Sequence, residues 1–410
     1  MRESWREVPP TAGLPLQWRD FLPRRNGPSL EERLAEFLGV PSAQLECSGT
    51  AALIIALTTL KRTSKRRSVI LPAYTCPLVA LAVLHCGLTP LLCDVTSGSF
   101  DFGPENLERL CDNNVLAIIA THLGGRVCDL ARVTSIARRH GAFVIEDAAQ
   151  SLGASWRGSK VGTVGDIGFF SLAAGKGLTL YEGGVLLARG SGLREALKET
   201  SAELAPDRLL TEWRRSLQLL GYGLLYRPGM LRIAYGLPLR RALRQGRFTA
   251  AVGDDFSAAI PLHRVGAFRR NAGSRAAARL PAFLEALAMQ AAIRRRLLQS
   301  IPGLTVIGDI DGTRGTWPFL MIVMPTAEAR HLALKELWTA GVGVTRLFIH
   351  ALPDYPNLRP QLGAHDVPNA RDFAARMLTI SNSPWLLEAD FHRLCSVLAA
   401  TAAASLASSR

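Results

Sequence analysis

The sequence predicts an α/β protein: a large domain built on a mostly parallel sheet flanked by helices, then a smaller α+β domain. Three observations carry this. From about residue 30 to 188, short apolar runs alternate with longer amphipathic ones, the pattern of βαβ units whose sheet is covered on both faces. Chemically capable residues stand just after apolar runs, at Ser48, His122 and Asp147, where open α/β sheets gather ligands. Beyond the basic segment 190–262, a helical stretch and isolated strand-like and helix-like runs suggest a second layer. The expected division is 1–265 for the large domain, with an N-terminal arm and the segment 190–262 as an insertion, and 266–410 for the small one.

Taken in order, Leu30 to Leu38 reads as a helix, and Ser48-Gly49-Thr50 opens a second through Leu57. Ser68 to Pro72 is a strand, Leu78 to Cys86 a helix stopped by Gly87, and Leu88 to Asp94 a strand. Pro104 to Cys111 is a helix, Val115 to Thr121 a strand, and Asp129 caps a helix through His140 that leads into the strand Ala142 to Glu146. Later come a helical stretch from about Ala276 to Ser300, a strand from Phe319 to Met324 and a helix from Ala327 to Ala340. The Ala/Ser-rich tail from Ala399 is expected to fray at its last few residues.

Lys176 is the most informative residue. It lies in a Gly-flanked turn, Gly175-Lys176-Gly177, between the apolar runs around Phe169-Phe170-Ser171 and Gly183-Gly184. An earlier apolar run ends in Glu146-Asp147-Ala148-Ala149-Gln150. An amine so placed can form a Schiff base with the aldehyde of pyridoxal phosphate, while Asp147 keeps the ring nitrogen protonated. A lysine alone would more often be a solvated surface residue; the accompanying motifs turn the reading. Small residues at Ser48-Gly49-Thr50 offer backbone N–H groups and a positive helix end to a phosphate, although a plain N-cap looks the same in isolation.

Together these residues resemble the DegT/DnrJ/StrS family of sugar aminotransferases, fold-type-I pyridoxal-phosphate enzymes. The matching segments are Ser48-Gly49-Thr50, Pro72-Ala73-Tyr74-Thr75, His122-Leu123-Gly124-Gly125, Glu146 to Gln150, Val161-Gly162 and Ser171 through Lys176 to Gly184. A looser match follows at Gly341-Val342-Gly343-Val344, Phe348-Ile349-His350, Tyr355-Pro356 and Leu378-Thr379-Ile380. The resemblance implies that Lys176 is the cofactor lysine and proton shuttle and that Asp147 pairs the ring nitrogen. It implies that Gln150 contacts the ring and that Gly49, Thr50, Ala51 and Ser171 hold the phosphate. It further implies a homodimer, L-glutamate as amino donor and a keto group on a nucleotide-linked sugar as acceptor. Family members with histidine in place of the lysine are dehydratases, so Lys176 favours transamination; a non-catalytic relative is the rival from another class.

The chain departs from the family in three places. Cys76 stands where an aromatic residue usually packs on the ring, which leaves Tyr74 or His122 for that task. The family's Asn-Tyr-Arg segment has no clean match, Asn271 being out of pattern, and the segment 190–262 is long. Substrate contacts are expected from Arg346, which could fork onto a donor carboxylate, and from His350 and Tyr74. Asp166 and Glu182 read as structural, the second bonding local backbone amides.

The net charge of +14, mostly arginine, points to an acidic partner or to a GC-rich genome. In 190–262, Trp213, Tyr222, Tyr226 and Tyr235 interleave with arginines including Arg240, Arg241 and Arg244. That pattern reads either as a peripheral contact with anionic membrane or a lipid-linked acceptor, or as a packing insertion. No nucleic-acid motif accompanies it. Seven cysteines without a CxxC argue against a disulfide frame and a zinc site, so no metal is expected. With no apolar run of about 18 residues and no signal-peptide core, the expected location is cytoplasmic, with peripheral attachment at the inner membrane surface as the variant.

Overall fold

The computed structural model describes residues 6–23, 26–254, 256 and 259–408. Its main sheet has seven strands: β1 (Gln44–Glu46), β2 (Ser68–Pro72), β3 (Thr89–Cys93), β4 (Val115–Thr121), β5 (Phe143–Asp147), β6 (Ile167–Ser171) and β7 (Gly184–Ala188). They lie in the order β1-β7-β6-β5-β4-β2-β3. The five strands from β3 to β6 are parallel, and β7 and β1 close one side antiparallel. β2 and β4 are buried along their whole length, which is why they read as unbroken apolar runs. Register places Thr121 beside Asp147, and Asp147 beside Phe169, so the C-terminal ends of β4, β5 and β6 converge.

Helices α1 (Leu30–Leu38), α2 (Gly49–Thr63), α3 (Pro77–His85), α4 (Pro104–Leu110) and α5 (Leu130–His140) fall where the periodicity puts them. α1 starts in a Ser29/Glu32 capping box, and α5 is capped by Asp129 and stopped by Gly141 at φ 62. Ten of the fifteen residues of α2 are buried, so it is a core helix with its N-terminus aimed at the strand ends.

The segment expected to be an insertion folds into helices, among them α6 (Ser191–Leu204), α7 (Leu209–Leu225) and α8 (Leu237–Arg244). Several of its aromatic and basic residues are turned inward, while others, Trp213 and Arg214 among them, are exposed. Tyr222 and Tyr226 stack inward with ring centroids 4.6 Å apart, and Tyr226 Oη donates to Thr11 O at 3.0 Å. Arg240, expected on a basic surface, is buried instead and pairs with Glu7 at 2.8 Å. Its guanidinium also bonds Thr339 O, so it ties the N-terminal arm to the second layer.

The expected helix 276–300 is found as α10 (Leu280–Gln299), and a further helix, α9 (Ala267–Ala277), precedes it with a bend of 53° between the two. Pro281 explains the break, because its ring opposes the carbonyl of residue 277 and it has no N–H to bond there. A second, antiparallel sheet follows, of β8 (Thr305–Val306), β9 (Phe319–Val323), β10 (Val344–Thr345) and β11 (Met377–Ser381), ordered β8-β9-β11-β10. Along β9, Phe319, Met321 and Val323 face the main core while Leu320 and Ile322 face a second one, as strand alternation requires. That second core is filled from α11 (Ala327–Leu337) and α12 (Glu388–Ser408), and Val8, Leu239, Ala242 and Ala251 enter it as well. The tail is helical through Ser408: alanine favours helix, and Leu398 and Ala402 are anchored in the core. Residues 409–410 lie outside the described ones.

Candidate active site

A cavity of about 570 Å³ opens where β4, β5 and β6 end and α2 begins. Asp147, the last residue of β5, lines it, and its carboxylate accepts the Ala149 N–H at 3.1 Å. Burial pushes this carboxyl up from its ordinary value, opposed by that N–H and by Lys176. Lys176 lines the same cavity from the turn after β6, and burial pushes its ammonium down, opposed by Cys76 and Asp147. The turn depends on Gly175 at φ 77, whose carbonyl accepts from Thr11 Oγ1 at 2.7 Å. A Cβ there would meet the same hydroxyl at 2.7 Å, so the arm and the lysine turn fit only with glycine.

The opposite end is built for an anion. Ser48 Oγ accepts the Ala51 N–H at 3.0 Å, which leaves the N–H groups of Gly49 and Thr50 without a hydrogen bond among the described residues. Gly49, Thr50 and Ser171 line the cavity. Ala51 does not: it is fully buried and its N–H is engaged by Ser48, which corrects its assignment to the phosphate. The cradle is pressed against β7, since a Cβ on Gly184 would lie 2.3 Å from Ser48 O.

Glu146, fully buried, organises the floor. Its Oε1 accepts from Val164 N and Gly165 N, and its Oε2 from Gly162 N, all at 2.7 Å. His122 Nε2 lies 3.0 Å from Oε2, while His122 Nδ1 accepts the Cys128 N–H at 3.2 Å, so the ring proton sits on Nε2. Both ring nitrogens are thereby fixed, and His122 lines the cavity. Gln150 Oε1 accepts the Gly124 N–H at 2.8 Å, which turns the Nε2 end of the amide outward as a donor. Cys76 occupies the expected aromatic position in the lining, and burial pushes its thiol up to about 12.

Three expected substrate residues lie outside this wall. Tyr74 is buried with its Oη on the backbone of Phe348 and its ring against Phe348 and Phe373. Arg346 Nη2 donates to Ile349 O at 2.6 Å and Ala374 O at 2.9 Å, and so braces backbone instead of forking onto a carboxylate in the cavity. His350 packs edge-on against Tyr355. Of the two candidates for packing on a ring, His122 is therefore the one that reaches the cavity.

Other lining residues were not read from the sequence. Asp254 enters from the segment after α8 and accepts from Tyr355 Oη at 2.5 Å and Ile349 N at 2.9 Å; burial pushes its carboxyl up to about 6. The sole sequence signal was an acid pair, Asp254-Asp255, after an arginine-rich stretch. Thr75 and Thr121, with hydroxyls 3.4 Å apart, also line the cavity. Glu182 lines it too and pairs with Arg215 rather than with local amides. The set suits a phosphorylated ring with a basic nitrogen: an anion cradle at one end, a carboxylate at the other and an amine on the wall between.

Residues 24–208 match the model of the DegT/DnrJ/EryC1/StrS aminotransferase family. GDP-perosamine synthase of Caulobacter vibrioides is 36% identical over 168 residues, 41% of this chain and 45% of that protein, so the chain matches under half of that relative's length. The spore coat polysaccharide biosynthesis protein SpsC of Bacillus subtilis is 26% identical over 374 residues, 88% of this chain and 85% of that one. Among solved structures, that of DesI in the presence of its TDP-sugar product superposes with a TM-score of 0.73 at 20% identity, covering 99% of this chain and 95% of the other. The last likeness shows the fold, a fold-type-I arrangement.

Proposed function

We propose that this chain, whose residues 24–208 match the model of the DegT/DnrJ/EryC1/StrS aminotransferase family, is a pyridoxal-phosphate-dependent aminotransferase. It moves an amino group from L-glutamate to a keto group on a nucleotide-linked sugar, in polysaccharide or secondary-metabolite biosynthesis. One observation carries the reading: a single cavity is lined by Lys176, Asp147 and the open N–H groups of Gly49 and Thr50. Pyridoxal phosphate, when bound, supplies an electron sink that makes the substrate's α-proton labile.

The chain's residues do the rest. Gly49 and Thr50 N–H and Ser171 Oγ would hold the phosphate. Asp147 holds a proton on the ring nitrogen through a charge-assisted hydrogen bond, and cationic ring nitrogen in turn favours its carboxylate. Gln150 would donate to the ring's phenolic oxygen, and His122 would pack on the ring face. Lys176, with an amine held below its ordinary pKa by burial, would take up and give back the substrate proton at its Nζ.

The acceptor class rests on the relatives, which include a GDP-perosamine synthase and a structure with a TDP-sugar product. A homodimer in the cytoplasm completes the proposal; the described cysteines are all free, which suits a reducing compartment. Mixing the cofactor-loaded protein with L-glutamate, then L-glutamine, is the test. Bleaching of the visible absorbance with release of the matching 2-oxo acid is expected. Absorbance that survives every amino acid would put the dehydratase or a binding module ahead.

A further inference from the structure

Helix α7 carries apolar residues on two sides. Its inner side is packed: Leu219 is fully buried, Arg215 pairs with Glu182, and Tyr222 Oη accepts the Gly175 N–H at 3.3 Å beside Lys176. Its outer side is bare. Leu210, Trp213, Leu217 and Leu224 are 85%, 66%, 47% and 71% exposed, and at 3.6 residues per turn they fall within roughly 60° of one another. Four large apolar side chains in line over four turns make a stripe, not the scatter of single residues that ordinary surfaces show. Ile233 and Leu237, further along, are exposed as well.

The charge along this segment is one-sided. Between Arg208 and Arg247 the sequence has nine arginines and one acid, Glu212, and that acid pairs with Arg269. Arg215 and Arg240 are matched by Glu182 and Glu7, whereas Arg214, Arg227, Arg241 and Arg244 are exposed. An apolar stripe with Arg214 exposed beside it, on a segment whose other exposed charges are arginines, suits a surface that is anionic outside and oily beneath. A second copy would bring the same positive segment against itself, and nucleic acid would leave the leucines in water.

We propose that the outer face of α7 docks this protein on an anionic lipid bilayer, with the helix lying in the plane of the interface. The proposal is independent of the reaction assigned to the cavity, though the inner face of the same helix contacts the lysine turn.

The test uses the full chain loaded with pyridoxal phosphate and two vesicle types, phosphatidylcholine alone and phosphatidylcholine with phosphatidylglycerol. Sedimentation with the anionic vesicles only, weakening as salt is added, is expected, together with a blue shift of Trp213 fluorescence. The Trp213→Ser/Leu217→Ser variant, altered at exposed positions, should bind about tenfold more weakly or worse. The Arg214→Gln/Arg241→Gln/Arg244→Gln variant should lose the preference for anionic lipid. Both should keep the parent's cofactor absorbance and its mass by light scattering. No vesicle binding, equal binding by the variants, or retention on RNA in place of vesicles overturns the proposal. A change of oligomeric mass in the Trp213→Ser/Leu217→Ser variant also overturns it, because the stripe then belongs to a subunit contact.

Discussion

Replacing Glu146 with glutamine should destabilise the protein far more than its single-atom change suggests. Four donors converge on this buried carboxylate: the N–H groups of Gly162, Val164 and Gly165, and His122 Nε2. Glutamine has one acceptor oxygen, so two of the four would face an NH2 group in either orientation. His122 cannot escape by moving its proton to Nδ1, because that nitrogen already accepts the Cys128 N–H. Each buried donor left unsatisfied costs about 1–3 kcal/mol, which gives about 2–6 kcal/mol for the pair. Against the 5–15 kcal/mol typical of a folded protein, that is a large fraction. Urea unfolding of both proteins, followed by circular dichroism, should show a lower midpoint with an unchanged slope. A loss below about 1 kcal/mol would refute the reasoning, since it would mean that the four bonds are not held together in solution.

Two other substitutions probe the cavity. The Asp254 carboxyl sits near 6 instead of its ordinary 3.8, because burial disfavours its charge. The folded state then holds this proton longer than the unfolded one, so its contribution to stability falls as pH rises from about 4 to about 6, by up to about 3 kcal/mol. Asp254→Asn can still accept from Tyr355 and Ile349 and should flatten that part of the stability profile; a slope equal to the parent's would assign it to other groups. At Gly184, a Cβ would lie 2.3 Å from Ser48 O and 2.8 Å from Gly49 N, both backbone atoms that cannot swing aside. Gly184→Ala should cost about 1–3 kcal/mol of stability and weaken pyridoxal phosphate binding about tenfold in an absorbance titration; undiminished affinity would remove the phosphate from this cradle.

Local patterns were legible and long-range ones were not. The alternation from Ser68 to Asp147 fixed strands and helices to within a residue or two, because the strands are mostly buried, two of them throughout, and each helix has its own cap or stop. The three-residue β1 and the antiparallel direction of β7 depend on partners far along the chain, and nothing local declares them. At the site, Lys176, Asp147, Gln150 and His122 were visible as motif residues, and the structure places all four on one cavity. Arg346 and Arg240 looked available for ligands, yet carbonyls and Glu7 claim them in the fold. Asp254 was hidden for the converse reason: its environment is made by Tyr355, about a hundred residues later.

Reduction of the pyridoxal-phosphate-loaded chain with borohydride, followed by peptide mass spectrometry, asks which lysine holds the cofactor. The added mass should fall on the peptide containing Lys176, and Lys176→Ala should stay colourless with added cofactor. Label on another lysine, such as Lys160, whose ammonium burial also pushes down, would contradict the assignment of this cavity, as would a chain that takes up no cofactor at all.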